Sequence, residues 1–113
     1  MEITEATVAL AALAHPGRLQ VFRLLVRAGT DGLAAGEIAR QLGIAPSTLS
    51  ASLALLAQAD LVQSRRAGRS IVYRARFDRM AGLMTFLADD CCGGALEVCA
   101  PVAAALVRAR CGV

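Results

Sequence analysis

The chain has 113 residues, 57% of them apolar, and its twelve basic residues, all arginine, outnumber nine acidic ones for a net charge of +3. That length suits one domain, and no apolar run approaches the ~18 residues of a membrane-spanning helix. Glu2 and Glu5 stand where a secretory signal would carry positive charge, so the expected compartment is the cytoplasm. No Ser/His/Asp set and no phosphate-cradling glycine loop supports an enzyme.

Residues 4–14 read as a first helix, with Val8, Leu10, Ala11, Leu13 and Ala14 on a broad apolar stripe. His15–Pro16 interrupts it, because proline fits the first position of a new helix and pushes the residue before it out of helical geometry. His15 is therefore read as a helix-start residue. The second helix spans 16–27, with Leu19, Phe22, Leu25 and Val26 on its apolar side. Residues 28–32 end it with loop chemistry.

Two short helices follow in tight succession. The first covers 34–42, with Ile38 and Leu42 one turn apart; Gly43 turns the chain and Pro46 opens the next helix. The second covers 47–59, burying Leu49, Leu53 and Leu56 and presenting Ser47, Ser50, Ala51 and Ala54 on the other side. Small residues let such a helix enter a major groove, and hydroxyls reach base edges or phosphates. Residues 61–66 and 69–76 then form two strands around Ala67–Gly68, with Val62, Ile71 and Tyr73 as candidates for the packed face. Six arginines (65, 66, 69, 74, 76 and 79) crowd fifteen residues here. A planar guanidinium suits phosphate oxygens and guanine edges. Arg65, Arg66 and Arg69 surround the hairpin tip. Asp78 caps a last helix over 78–92, whose Met80, Met84, Leu87 and Cys91 form one seam that needs a partner. Gly93–Gly94 ends it, and a tail over 93–113 holds Cys99 and Cys111.

The order helix, helix, helix-turn-helix, wing, helix resembles the ArsR/SmtB family of bacterial metal-responsive repressors over residues 6–92. The resemblance is carried jointly by Ala12–Leu13–Ala14–His15–Pro16–Gly17–Arg18–Leu19, by Glu37–Ile38–Ala39, by Ser47–Thr48–Leu49–Ser50 with Leu53, and by Leu61–Val62 with Arg65–Arg66–Ala67–Gly68–Arg69. Many members place a histidine shortly after the serine matching Ser50; Ala51 and Ser52 fill those places here. The resemblance implies a mainly α winged helix-turn-helix with a two-stranded β wing, one domain over 1–113, dimerising through its first and last helices. It implies a homodimer bound to operator DNA through Ser47, Thr48, Ser50 and Ala51 and through the wing arginines Arg65, Arg66 and Arg69.

Within that family a Cys-x-Cys sensor at the start of the first helix of the helix-turn-helix has no counterpart, since residues 32–37 contain no cysteine. A His-rich zinc or cobalt site on the last helices has none either, since His15 is the sole histidine. Cys91–Cys92–Gly93–Gly94 with Cys99 resembles the arsenic-responsive members that carry a Cys-Cys pair at the end of the last helix and a third cysteine beyond it. Trivalent arsenic and antimony are soft and favour a pyramid of thiolates. The resemblance thus implies As(III) or Sb(III) as inducer, held by Cys91, Cys92 and Cys99. Zinc or cadmium remains open, with Cys111 as a fourth ligand for a tetrahedral site. So does a thiol-redox switch, although Asp89 and Asp90 would raise the neighbouring thiol pKa and work against it. A protein that only carries thiol-bound metals, without regulating transcription, is the alternative of another class.

Overall fold

The computed structural model describes residues 1–88 together with residues 101, 104 and 105. Its elements run α1 Ile3–Leu13, α2 Pro16–Ala28, a single 3-10 turn Gly29–Asp31, β1 Leu33–Ala34, α3 Ala35–Leu42, α4 Pro46–Gln58, β2 Val62–Ala67, β3 Ser70–Ala75 and α5 Phe77–Ala88. The expected mainly α fold with a β wing is the observed one.

Local chemistry sets the joints. His15 caps α2 by accepting the Gly17 N–H at Nδ1 (3.1 Å), with Pro16 in the first helical position. One turn later Arg18 Nε donates to the Ala12 carbonyl at 2.6 Å and its Nη2 to the Ala11 carbonyl at 3.4 Å. The Ala12 carbonyl is one that the end of α1 leaves without a helical partner, while the Ala11 carbonyl also accepts the Ala14 N–H at 3.2 Å. Gly43 sits in the left-handed region (φ 64°, ψ 37°) between α3 and α4, and the Ile44 N–H closes back on Ala39 O at 3.1 Å. At the far end of α4 a non-glycine residue, Asp60, takes φ 60°, and the Leu61 N–H returns to Leu56 O at 3.0 Å.

The core joins Val21, Phe22, Leu24 and Leu25 of α2, Ile38 of α3, Leu49, Leu53 and Leu56 of α4, Leu61, Val62 and Ala75 at the root of the hairpin, and Leu83 of α5. Burying a side chain of this size is worth about 1.5–3 kcal/mol relative to leaving it in water. α1 joins this core through Ala6, Ala9 and Ala12. Most of the expected stripe of larger residues does not: Val8 and Leu10 are 49% and 42% exposed. Alanines let α1 approach its neighbours closely; of the expected stripe's larger residues Leu13 packs against the core, while Val8 and Leu10 turn outward. Leu19 is likewise exposed, its expected place on the packed side of α2 being taken by Val21 and Leu24.

The sheet has three strands, not two, in the order β1–β3–β2, all antiparallel. Leu33 pairs with Tyr73 and Ala34 with Val72. This places a strand in the segment between α2 and α3. Gly32, just before it, has φ 71°, and a Cβ there would lie 2.2 Å from the Tyr73 carbonyl oxygen. Close backbone approach is what that glycine permits. In the hairpin Val62 faces Ala75, Ser64 faces Tyr73 and Arg66 faces Ile71, with Ala67 opposite Ser70 and a two-residue Gly68–Arg69 connection. The turn thus lies one residue later than the expected Ala67–Gly68. The face carrying Val62, Tyr73 and Ile71 is packed only at its root, because the hairpin projects beyond the helices: Ile71 is 42% exposed.

α5 begins at Phe77, so Asp78 lies inside its first turn rather than capping it, and the Arg76 carbonyl accepts the first helical N–H groups from Arg79 and Met80. Leu83 anchors the helix, with Met80 and Phe86 packed beside it. Met84 and Leu87, two members of the expected seam, are 43% and 57% exposed. The continuation expected to residue 92, Cys91 included, lies outside the described residues.

Candidate nucleic-acid interface

α4 separates its two sides cleanly. At about 100° per residue, Leu49, Leu53 and Leu56 share one side with Ser52, and all four are buried. Ser47, Ala51 and Ala54 form the opposite stripe, flanked by Thr48 and Ser50, and all five are exposed. The four predicted reading residues Ser47, Thr48, Ser50 and Ala51 therefore share one accessible surface. Ser52, next in sequence, faces the core instead.

α3 supports this helix from behind. Its charged side chains are occupied with one another. Arg40 pairs with Glu37, Nε donating at 2.9 Å, and Gln41 donates to the same carboxylate at 3.0 Å. Arg40 first, then Gln41, holds the Glu37 carboxyl down at about 2.

The hairpin register sorts the arginine run. Arg69 lies in the turn and Arg66 on the face shared with Ile71. Both are exposed, and neither has a hydrogen-bond or ion-pair partner among the described residues. Arg65 lies on the other face, opposite Val72, and its Nη2 reaches the Asp31 carbonyl oxygen at 3.4 Å. Arg74 shares that other face and stands directly across from Gln63. Arg76 and Arg79 belong to a different task. Arg76 Nη2 meets Asp78 Oδ2 at 2.8 Å and its Nη1 lies 3.9 Å from Asp60 Oδ1. Its backbone N–H donates to Leu61 O at 2.8 Å. Arg79 meets Glu5 of α1 at 3.2 Å. Sequence crowding does not distinguish most of these roles, since strand register separates Arg65 from Arg66 and a partner 74 residues away claims Arg79; only Arg76 meets a near neighbour, Asp78.

An apolar surface lies elsewhere on the molecule. Ile3, Val8 and Leu10 of α1 are exposed, as are Met84 and Leu87 of α5. Val8 also shares a cleft of about 290 Å³ with Leu55 and Gln58 of α4, next to Arg18. Among the described residues no three His, Cys, Asp or Glu side chains cluster as a metal site. Cys91, Cys92, Cys99 and Cys111 lie outside the described residues. No helix among the described residues is long and apolar enough to cross a membrane.

Residues 13–65 match a family described as a helix-turn-helix domain. The biofilm growth-associated repressor of Agrobacterium fabrum is 36% identical over 84 residues, 74% of this chain and 69% of that protein. A homodimeric winged helix-turn-helix DNA-binding domain from Mycobacterium bovis, Mb0332, described as a possible ArsR-family transcriptional regulator, superposes with a TM-score of 0.63. It is 33% identical, with 78% of this chain and 82% of that one covered. Reduced HlyU from Vibrio cholerae superposes with a TM-score of 0.60 at 30% identity, covering 79% of this chain and 90% of that one. These relatives are regulators of transcription, not enzymes.

Proposed function

The chain belongs to the ArsR family of winged helix-turn-helix transcriptional repressors, and we propose that it acts as a homodimer that binds operator DNA and leaves it when trivalent arsenic or antimony binds Cys91, Cys92 and Cys99. The observation that carries the DNA half is the exposed surface of α4, with its hydroxyls and methyls outward and its leucines inward. A helix so faced fits a major groove, and Ser47, Thr48 and Ser50 can meet base edges or phosphates there. Arg66 and Arg69 supply phosphate or minor-groove contacts from the wing, with Arg65 at its flank.

The dimer half rests on surface chemistry. Ile3, Val8 and Leu10 of α1 and Met84 and Leu87 of α5 stay exposed in the single chain, and a second copy covering them buries both sets. Two reading helices related by a two-fold axis then address half-sites about one helical turn, ~10 bp, apart.

The inducer half rests on donor chemistry. Three thiols that follow α5 in the sequence, two of them adjacent, form a soft donor set of the number that As(III) or Sb(III) takes. α5 starts where Arg76 ties it to the end of α4 through Asp60, and where Arg79 ties it to α1. A change of α5 on metalloid binding would pass to the reading helices by those ties. Coupling of this kind is reciprocal, so operator DNA weakens metalloid binding by the factor by which the metalloid weakens DNA binding.

The test titrates the reduced protein, bound to fluorescent duplex from its own upstream region, with arsenite, and with zinc and peroxide in parallel. Release by arsenite that is lost in Cys91→Ser, Cys92→Ser and Cys99→Ser supports the reading. Release by zinc replaces the inducer and keeps the repressor. A thiol-redox switch is the second reading, favoured by the likeness to a protein studied in a specifically reduced form. Release by peroxide, reversed by a thiol reductant, would establish it. Failure to bind any upstream duplex would leave a thiol metal carrier.

A further inference from the structure

The reading helix carries no charged side chain anywhere in its thirteen residues, PSTLSASLALLAQ. Recognition of guanine in the major groove relies on the two-pronged donors of arginine or lysine, and recognition of cytosine on a carboxylate acceptor. α4 offers neither. Adenine is held by two hydrogen bonds from Asn or Gln. The one such side chain, Gln58, is the last residue of the helix and lines the cleft beside Val8 of α1. It stands at the end opposite to the one that approaches base edges in this class of motif. On the outward surface that leaves the Ala51 and Ala54 methyls, the Thr48 methyl and hydroxyl, and the Ser47 and Ser50 hydroxyls. Apolar contact by alanine or threonine is made with the C5-methyl of thymine, and hydroxyls are tolerant of either purine or pyrimidine edges.

α3 does not repair the deficit. Arg40 is paired with Glu37, and Gln41 donates to that same carboxylate. The wing points independently the same way. Arg66 and Arg69 are exposed and unpaired among the described residues. Unpaired arginines at a narrow tip gain most where the minor groove is narrow and its potential most negative, which is the property of A·T tracts.

We infer that the reading helix selects operator half-sites by their thymine methyl groups, packed against Ala51, Ala54 and Thr48, with A·T-rich flanks beneath the wing. This rests on the DNA-binding reading given above and assigns the chemistry of its specificity. Losing one buried methyl corresponds to about a fourfold loss of affinity at about 0.8 kcal/mol.

The experiment selects duplexes from a random pool with the full-length reduced protein. Each thymine of the selected half-site is then replaced by uracil, which deletes only the methyl, and affinity is read by fluorescence anisotropy. The expected result is A·T pairs at the positions under α4 and about fourfold weaker binding for uracil at one or two of them. Ala51→Arg keeps a good helix former at an exposed position. With it, selection should move from an A·T pair to a guanine at one of those same positions. Guanine-rich half-sites for the parent protein, or uracil bound as tightly as thymine throughout with salt-dependent binding intact, would overturn the inference and leave the repressor reading standing. Binding to no duplex in the pool would remove both.

Discussion

Glu5 divides its carboxylate between two distant partners. Oε1 accepts the Glu2 N–H at 3.2 Å and so ties down the start of its own helix. Oε2 accepts from both terminal nitrogens of Arg79, 74 residues away, at 3.2 and 3.3 Å. One side chain thereby fixes the first turn of α1 against the first turn of α5, the two helices whose exposed apolar residues await a partner. The Glu2 N–H first, and then the Arg79 guanidinium, hold the Glu5 carboxyl below its ordinary value of 4.5.

Acid should unlatch these contacts. Arg76 holds Asp78 below its ordinary 3.8, and Arg40 with Gln41 holds Glu37 at about 2. Each carboxyl is a stronger acid folded than unfolded. Its contribution is therefore complete above the unfolded value and disappears as pH falls through the folded one. The melting temperature should fall as pH drops from 4.5 to about 2, the window between the unfolded and folded values of Glu37. Glu5→Gln and Glu37→Gln should each flatten part of that fall, as followed by circular dichroism. An unchanged pH profile in both variants would contradict these pairings.

The arginines should divide into two classes by salt dependence. Arg66→Ala and Arg69→Ala should weaken operator binding and lower the slope of log affinity against log salt by about one each. Arg76→Ala and Arg79→Ala should leave that slope alone and lower the melting temperature instead. Titrations at several salt concentrations, with thermal melts beside them, separate the two sets.

Two glycines of positive φ should respond differently to alanine. Gly32 (φ 71°, ψ −166°) lies in a region nearly reserved for glycine, and its Cβ would strike the Tyr73 carbonyl. Gly32→Ala should cost more than about 2 kcal/mol, since backbone strain of that kind adds to the clash. Gly43 is left-handed with nothing within 4 Å of its Cβ position. Gly43→Ala should cost about 1–2 kcal/mol, and Gly43→Asn less. Urea denaturation reads both.

Charging the exposed apolar surface should break the dimer. Val8→Glu or Leu87→Glu should raise the dimer dissociation constant on the order of 100-fold, the scale set by loss of an interface hot spot. Each leaves the chain folded, because neither side chain belongs to the core. Light scattering after size exclusion measures the mass, and DNA affinity should fall in parallel.

Periodicity made most of this fold readable. Leu49, Leu53 and Leu56 announce the packed side of α4, and Val62 the root of the wing. The serines and Ala51 on the reading surface follow from the same arithmetic. α1 was harder, because hydropathy favours Val8 and Leu10 as core while close packing selects Ala6, Ala9 and Ala12. β1 is two residues long and has no period to detect. Leu19 and Ile71 look buried by type, but Leu19 lies on the side of α2 away from Val21 and Leu24 and Ile71 sits where the hairpin runs past the core. The split among the arginines depends on strand register and, for Arg79, on a partner 74 residues away, which spacing along the chain does not encode; Arg76 alone meets a near neighbour, Asp78. The cysteines speak through their chemistry, and their placement lies outside the described residues.

The pairing of Leu33 and Ala34 with Tyr73 and Val72 has a consequence for the order of assembly. It closes a loop around residues 35–71, which hold α3, α4 and most of the hairpin. The α3–α4 turn and the β2–β3 hairpin form from near neighbours in sequence, whereas this clasp must wait until both exist. Closing it late costs little extra entropy, since each doubling of loop length costs only about 0.6 kcal/mol. Reopening it exposes just two paired residues on one edge. Amide exchange at this edge should therefore run ahead of exchange in the hairpin and the buried face of α4, marking a small sub-global opening within an otherwise cooperative domain.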